Sequence, residues 1–364
     1  MKHNPPDLFL LAVTLALLTI GLIIVSSASA PEALRLTAGA NVFLFGLRQL
    51  IFAFIGIALM FLMMKFPYTN LKKLSLWLGI SSLFFLILVL FVAKDVKGAS
   101  RWLNLGFMKF QPSEYAKLSA ILILAHYFAA IKREINNFML GVGLPLLFVA
   151  TICFLILLEP DLGTIIVIFT TFLVMLYVSG ARLSHLMLLC LGGLAVVTML
   201  VMLEPYRAKR LVAFIDPWKD PRGDGWQIIQ SLYALGSGGP FGMGLGMGRQ
   251  KFNYLPESHT DYIFSILGEE LGLIGTVTVL ILFFFIAWRG FKIAISARDR
   301  YGRTLAAGIT ASLVFQAILN IAVVTSSIPV TGITLPFLSY GGSSLLVCLT
   351  GVGILLNISK TTSS

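Results

Sequence analysis

Apolar residues run along this chain in ten long blocks, separated by short polar stretches and by one long one. The blocks fall at 8–29, 43–65, 74–93, 114–131, 139–158, 162–178, 184–203, 263–288, 304–327 and 342–358. Their lengths are close to the roughly 20 apolar residues that carry an α-helix across a bilayer core. No block shows the two-residue alternation of a half-buried strand, and a helix satisfies its own backbone inside hydrocarbon. The pattern predicts an all-α integral membrane protein of about ten transmembrane helices, with residues 1–364 forming a single membrane domain. One long hydrophilic segment, 204–262, lies between helices seven and eight. The first block is too long for the apolar part of a signal peptide and has no small-residue cleavage site, so it reads as a retained spanning helix.

Composition agrees. The chain is 58% hydrophobic and 12% charged, where a soluble domain carries about twice that charged share. The net charge of +11 would raise the question of nucleic acid in a soluble protein. Here Lys and Arg flank the blocks, where they follow the inside-positive bias and meet anionic lipid headgroups. No nucleic-acid partner is expected. With the N-terminus in the cytoplasm, the inner loops hold Lys65, Lys72 and Lys73, then Lys132 and Arg133, then Arg182, then Arg289, Lys292, Arg298, Arg300 and Arg303. That assignment places the chain in the cytoplasmic (inner) membrane with both termini cytoplasmic and 204–262 outside. Cys153, Cys190 and Cys348 lie in apolar blocks with no metal spacing or disulfide framework and read as small buried hydrophobes.

The outer segment is nearly balanced in charge and Gly-rich, with GSGGPFGMGLGMG at 236–248. Its Trp218, Trp226, Phe241 and Tyr254 argue for order, with short surface helices. No strand precedes the glycines, and no Walker motif or GxGxxG after a strand occurs, so a nucleotide has no obvious seat.

Ionisable groups in or beside spanning helices are costly and mark function. In GASRWLNLGFMKFQPSEYAKLS, 98–119, Pro112 and Ser113 open a helix and put Glu114 and Lys117 on one face. They read either as an ion pair tolerated near lipid or as a charge pair lining a polar cavity. Arg101 and Trp102 upstream read as an interfacial anchor, or as a grip on a phosphate and a sugar face. In LLEPDLGT, 157–164, Glu159 and Asp161 read first as a solvated turn, with a cavity wall as the alternative. In NYLPESHTDYIFSILGEELG, 253–272, Glu257, His259, Asp261, Glu269 and Glu270 crowd the start of one helix, where a cap or first-turn acid also fits. The segment PVTGITLPFLSYGGSSLL, 329–346, breaks helicity at membrane depth without any titratable acid or base, so it supplies shape and backbone donors. Arg48 and Gln49 read as snorkelling outward.

These strings, with PYRAKRLVAFIDPWKDPRGDGWQIIQSLYALGSGG at 205–239, resemble the SEDS family (shape, elongation, division and sporulation), which includes RodA, FtsW and SpoVE. The likeness covers residues 8–358 in family order. AFIDPWKDP, FGMGLGMGRQKFNYLPE and PVTGITLPFLSYGGSS look more like the FtsW/SpoVE branch. Ser326 and Ser327 depart from the Gly or Thr and aliphatic residue usual there, a change expected to affect only local packing.

The resemblance implies a peptidoglycan glycosyltransferase that polymerises lipid II outside the cytoplasmic membrane, for cell division or cell shape. It also implies a class B penicillin-binding protein as transpeptidase partner and an activity linked to a divalent cation, Mg or Mn, with metal ligands unidentified. The family's functional aspartate falls on Asp261, and its fourth-helix acid and lysine on Glu114 and Lys117. On this basis Asp261 is expected to be the catalytic base. Glu114, Lys117, Arg101, Trp102, His259, Arg207, Arg210 and Lys251 are the candidate substrate-binding residues. A lipid II flippase and a non-catalytic scaffold for the transpeptidase are the rival functions.

Overall fold

The structure is a computed structural model and describes residues 5–92, 101–104, 106, 108–131, 134–252 and 254–361. Lys132 and Arg133, two of the inner-loop charges, and residues 98–100 lie outside these. Thirteen α-helices are present among the described residues. The long ones are α1 (Leu8–Ala28), α3 (Leu44–Lys65), α4 (Tyr68–Val92), α5 (Pro112–Ala130), α6 (Leu144–Leu158), α7 (Leu162–Val178), α8 (Leu183–Leu203), α11 (Ile263–Ser296), α12 (Arg300–Val324) and α13 (Gly342–Ser359). Eight helices are long and apolar enough to cross a membrane, counting the π-helical turn Phe138–Gly143 with α6. The more polar α5 and the 17-residue α7 bring the total to the ten expected.

Burial explains why α5 tolerates charge. Most of its residues are buried, whereas only 11% of the apolar window of α8 is buried. The bundle is therefore centred on α5, α7, α12 and α13, and α8 lies at its rim facing lipid. Close packing uses small residues, as expected where apolar side chains gain little by leaving lipid. Gly353 of α13 lies against the Met60 backbone of α3, and Gly308 of α12 against Met175 of α7.

Two helices outrun their hydrophobic blocks. α4 begins at Tyr68, six residues before the predicted start, because Lys72 and Lys73 interrupt the apolar pattern without interrupting the helix. α11 continues eight residues past 288, carrying Arg289 and Lys292 beyond the apolar core. Arg289 closes on Asp7 at 2.6 Å. Asp7 caps α1 through Leu10 N, and its own amide donates to Ser359 Oγ at 3.1 Å. The two chain ends therefore lie at the same end of the bundle.

Short elements occupy the opposite end: α2 (Ala30–Leu36), a hairpin of β1 (Leu103–Asn104) and β2 (Lys109–Phe110), α9 (Pro205–Ile215) and α10 (Trp226–Ser237). The hairpin pairs Leu103 with Phe110 and Asn104 with Lys109. Two residues per strand are too few to leave an alternation in the sequence. The surface helices expected in 204–262 are α9 and α10.

Candidate active site

Asp261 sits two residues before α11, where the long segment rejoins the bundle. Its backbone carbonyl accepts from Asn320 Nδ2 at 2.7 Å, and the same nitrogen donates to the Ile333 carbonyl at 2.6 Å. The Ser339 hydroxyl donates to the Thr260 carbonyl at 2.6 Å, and the Tyr340 amide to the His259 carbonyl at 2.9 Å. Residues 259–261 are thus held on the irregular segment 329–341. That segment in turn is satisfied by amide side chains. Gln316 Nε2 donates to the Thr334 carbonyl at 3.0 Å, and Gln49 donates to the Ser339 carbonyl while accepting from the Gly341 amide. Non-helical backbone at membrane depth requires such partners. Gln49 is therefore buried and bonded inward, a correction to the snorkelling expectation; only its neighbour Arg48 is exposed.

The Asp261 carboxyl is half-buried and faces groups from three other segments. Burial first, then the charges of Glu257 and Asp161, raise it from its ordinary value to about 7 against the opposing charges of Arg101 and Arg210. Arg101 is held by the turn between α6 and α7, its Nε donating to the Glu159 carbonyl at 2.8 Å and its guanidinium also to the Pro160 carbonyl. Arg210 of α9 donates to the Val330 carbonyl at 3.0 Å and lies over the Tyr206 ring. Trp102 is partly exposed next to Arg101. The four segments singled out in the sequence therefore meet at one end of the bundle, with a carboxyl group within electrostatic reach of two guanidinium groups.

The turn itself corrects the expectation of solvation. Glu159 is 0% exposed and Asp161 2%. Asp161 caps α7, accepting from the Thr164 amide and hydroxyl. Among the described residues both Glu159 oxygens lack a hydrogen-bond partner, and burial followed by the charge of Asp161 raises the group to about 8.

Other candidates are engaged elsewhere. Lys117 Nζ bonds Glu114 Oε1 at 2.9 Å and Gln316 Oε1 at 2.6 Å, with both charged groups about 5% exposed. The adjoining cavity, about 20 Å³, has room for one water. Lys251 bonds Glu270 at 2.6 Å, Ser27 at 2.8 Å and the Gly246 carbonyl at 2.7 Å. Arg207 donates to the Leu200 carbonyl at 3.1 Å. His259 Nδ1 lies 3.6 Å from Glu32 and packs against Phe45 and Tyr340. The sequence reading did not single out Gln316 or Asn320; both lie in an otherwise apolar spanning helix, and polar side chains there were the available signal.

A family model described as "Cell cycle protein", covering FtsW, RodA and SpoVE, matches residues 8–364. The chain belongs to the FtsW/RodA/SpoVE family. Stage V sporulation protein E of Bacillus subtilis (strain 168) is 48% identical over 362 residues, 99% of this chain and 98% of its own. A protein of Aliivibrio salmonicida (strain LFI1238) named "Probable peptidoglycan glycosyltransferase FtsW" is 40% identical over 97% of this chain and 88% of its own. The solved rod shape determining protein RodA of Thermus thermophilus aligns with a TM-score of 0.73 and 30% identity, over 99% of this chain and 98% of its own. A chain from a structure described as "Structural coordination of polymerization and crosslinking by a peptidoglycan synthase complex" aligns with a TM-score of 0.81 and 32% identity, over 99% of both. As an FtsW/RodA/SpoVE protein, this one is a multi-pass membrane protein.

Among the described residues no three His, Cys, Asp or Glu side chains converge as ligands.

Proposed function

We propose that this chain polymerises lipid II into glycan strands on the outer side of the cytoplasmic membrane, with Asp261 as general base. At the coarser level it is a peptidoglycan glycosyltransferase, as its FtsW relatives are named. The observation that carries the finer proposal is the half-buried Asp261 carboxyl, raised to about 7 and within electrostatic reach of Arg101 and Arg210. A base tuned near working pH has the most favourable balance of ionised fraction and proton affinity.

A hydroxyl of the acceptor sugar gives its proton to Asp261 as its oxygen bonds to the anomeric carbon of the donor. The bond from that carbon to pyrophosphate breaks, and undecaprenyl pyrophosphate departs with the electron pair. One displacement inverts the α-linkage to β, so no covalent carboxylate intermediate forms. Charge developing on the pyrophosphate is met by Arg101 and Arg210, whose guanidinium groups are fixed before reaction by backbone carbonyls. A divalent cation, when bound, would supply positive charge to the same departing pyrophosphate. Trp102 offers a ring to a sugar face.

The proposal places 204–262 outside and both termini in the cytoplasm, with a class B penicillin-binding protein as partner. The relative from a peptidoglycan synthase complex supports that partnership. A flippase needs polar groups free along a path through the bundle, whereas Lys117, Glu114 and Gln316 are bonded to one another. Purified protein, with and without the partner, is incubated with lipid II in detergent, where transport is irrelevant. Glycan polymer that disappears with Asp261→Ala is the expected result. Undiminished polymer from that variant ends the base assignment, and none from the native pair ends the enzymatic proposal.

A further inference from the structure

The Gly-rich loop 238–248 is bound to α11 at a definable depth. Two polar clusters join α1 to α11: Asp7 with Arg289 at one end, and Ser27 with Glu270 and Lys251 at the other. Twenty residues of α1 separate Asp7 from Ser27, about 30 Å of helix. That matches the roughly 30 Å hydrocarbon thickness of a bilayer. The two clusters thus mark the two faces of the apolar slab, and Glu270 lies at the face remote from the termini.

The loop is strapped to α11 at that level and slightly deeper. Amides of Met243 and Gly244 donate to the carbonyls of Glu269 and Glu270 at 2.9 and 3.1 Å. Amides of Leu273 and Ile274 donate to the carbonyls of Gly239 and Pro240 at 2.9 and 3.2 Å. The strap is possible because α11 kinks at Gly272, where φ is 65°. A Cβ on Gly242 would stand 2.2 Å from the Glu270 carbonyl oxygen, and one on Gly272 would stand 2.3 Å from the Gly242 nitrogen. From this rigid backbone Phe241, Leu245 and Met247 project 80%, 54% and 70% exposed. Pro240 is bonded to Ile274, inside the slab edge, and the exposed Leu273 and Ile274 of α11 carry the same apolar surface into the spanning belt.

We propose that this loop is a membrane-inserted anchor whose Phe241, Leu245 and Met247 side chains are covered by phospholipid acyl chains of the leaflet remote from the termini. Its depth favours lipid over a water-exposed docking face for a partner protein. The anchor would fix the start of α11, and with it residues 259–261, to the level of that leaflet.

The test uses full-length protein with Cys153, Cys190 and Cys348 replaced by Ala, in vesicles of phosphatidylethanolamine and phosphatidylglycerol free of polyprenyl lipid. Spin labels are placed by Phe241→Cys, Met247→Cys, Ile281→Cys as the lipid-facing reference and Arg222→Cys as the water-exposed reference. Labels at 241 and 247 should match 281, accessible to oxygen and shielded from a water-soluble nickel chelate. Chelate access equal to that at 222 overturns the proposal. Shielding that appears only after adding the penicillin-binding protein, or only after adding undecaprenyl phosphate, also overturns it, in favour of a protein contact or a substrate-tail site. A second measurement needs no substitution. Native chain in vesicles with a photoreactive group at the acyl terminus should give adducts on the peptide ending at Arg249, and adducts confined to the spanning helices overturn the proposal.

Discussion

At the scale of single residues, ionisation separates chemistry from folding. Asp261 is held near 7 against an ordinary value of 3.8. Its contribution to stability is therefore complete below about 4 and is lost as pH rises through 7, because the folded state disfavours the charged form. As the proposed general base, Asp261 would make activity run the other way, since only the ionised carboxylate accepts a proton. Polymerisation by the native enzyme should rise with pH along a limb centred near 7. Asp261→Asn should abolish it while melting no lower than the native protein at pH 8, by thermal denaturation in detergent; a much lower melting temperature would sink this account. Lys117→Ala should be costly in that same assay, about 3–5 kcal/mol, because it strands Glu114 among buried groups. Glu114 Oε2 already lacks a protein partner. Glu114→Gln together with Lys117→Met should cost less than Lys117→Ala alone, and equal losses would mean the ion pair is not the source. The sequence disclosed these charges because each is anomalous among apolar neighbours. It did not disclose the burial of Glu159 and Asp161, since a Pro-containing acidic turn looks the same whether water or an arginine covers it.

At the scale of elements, the apolar blocks located the ten spanning helices to within a few residues wherever hydropathy and helicity end together. They end apart at α4 and α11, where lysines and arginines continue the helix past the hydrocarbon. The irregular segment 329–341 was legible as broken backbone from its Pro and Gly, but its partners were not. Gln49 lies far from it in sequence, Gln316 and Asn320 lie in the helix before it, and no local pattern announces the tertiary hydrogen bonds they make. Asn320 is the most informative of them because one amide nitrogen serves both Asp261 and Ile333. Asn320→Ala removes both bonds and frees the base to shift. A displacement of about 1 Å can cost on the order of 10²-fold in rate. We expect kcat for lipid II polymerisation to fall by about that factor, with a smaller change in KM. An unchanged kcat would mean residues 259–261 are held well enough by Ser339 and Tyr340.

At the scale of the whole molecule, the even number of spans and the Asp7–Ser359 bond place both termini at one end. The site lies at the other, where Arg101, Asp161, Arg210 and Asp261 come together from elements far apart in the chain. This separation makes sidedness testable without reference to chemistry. The basic residues of the short loops, Lys65, Lys72, Lys73 and Arg182, are the ground for proposing that the end bearing the termini faces the cytoplasm. In intact spheroplasts, a membrane-impermeant thiol reagent should label Arg222→Cys, which is exposed on the long segment. The same reagent should reach a cysteine introduced by Thr361→Cys only after the membrane is opened. The reverse pattern would put Asp261 in the cytoplasm, where the enzyme would meet lipid II before export. Correct sidedness has a further consequence. On the proposed function, the polyprenyl tail of lipid II would lie in the leaflet on the side of α9, whose Tyr206, Val212 and Ile215 are exposed on the helix that carries Arg210. The donor would then reach Asp261 by lateral diffusion, with its tail in lipid and its pyrophosphate arriving at the level of the two arginines.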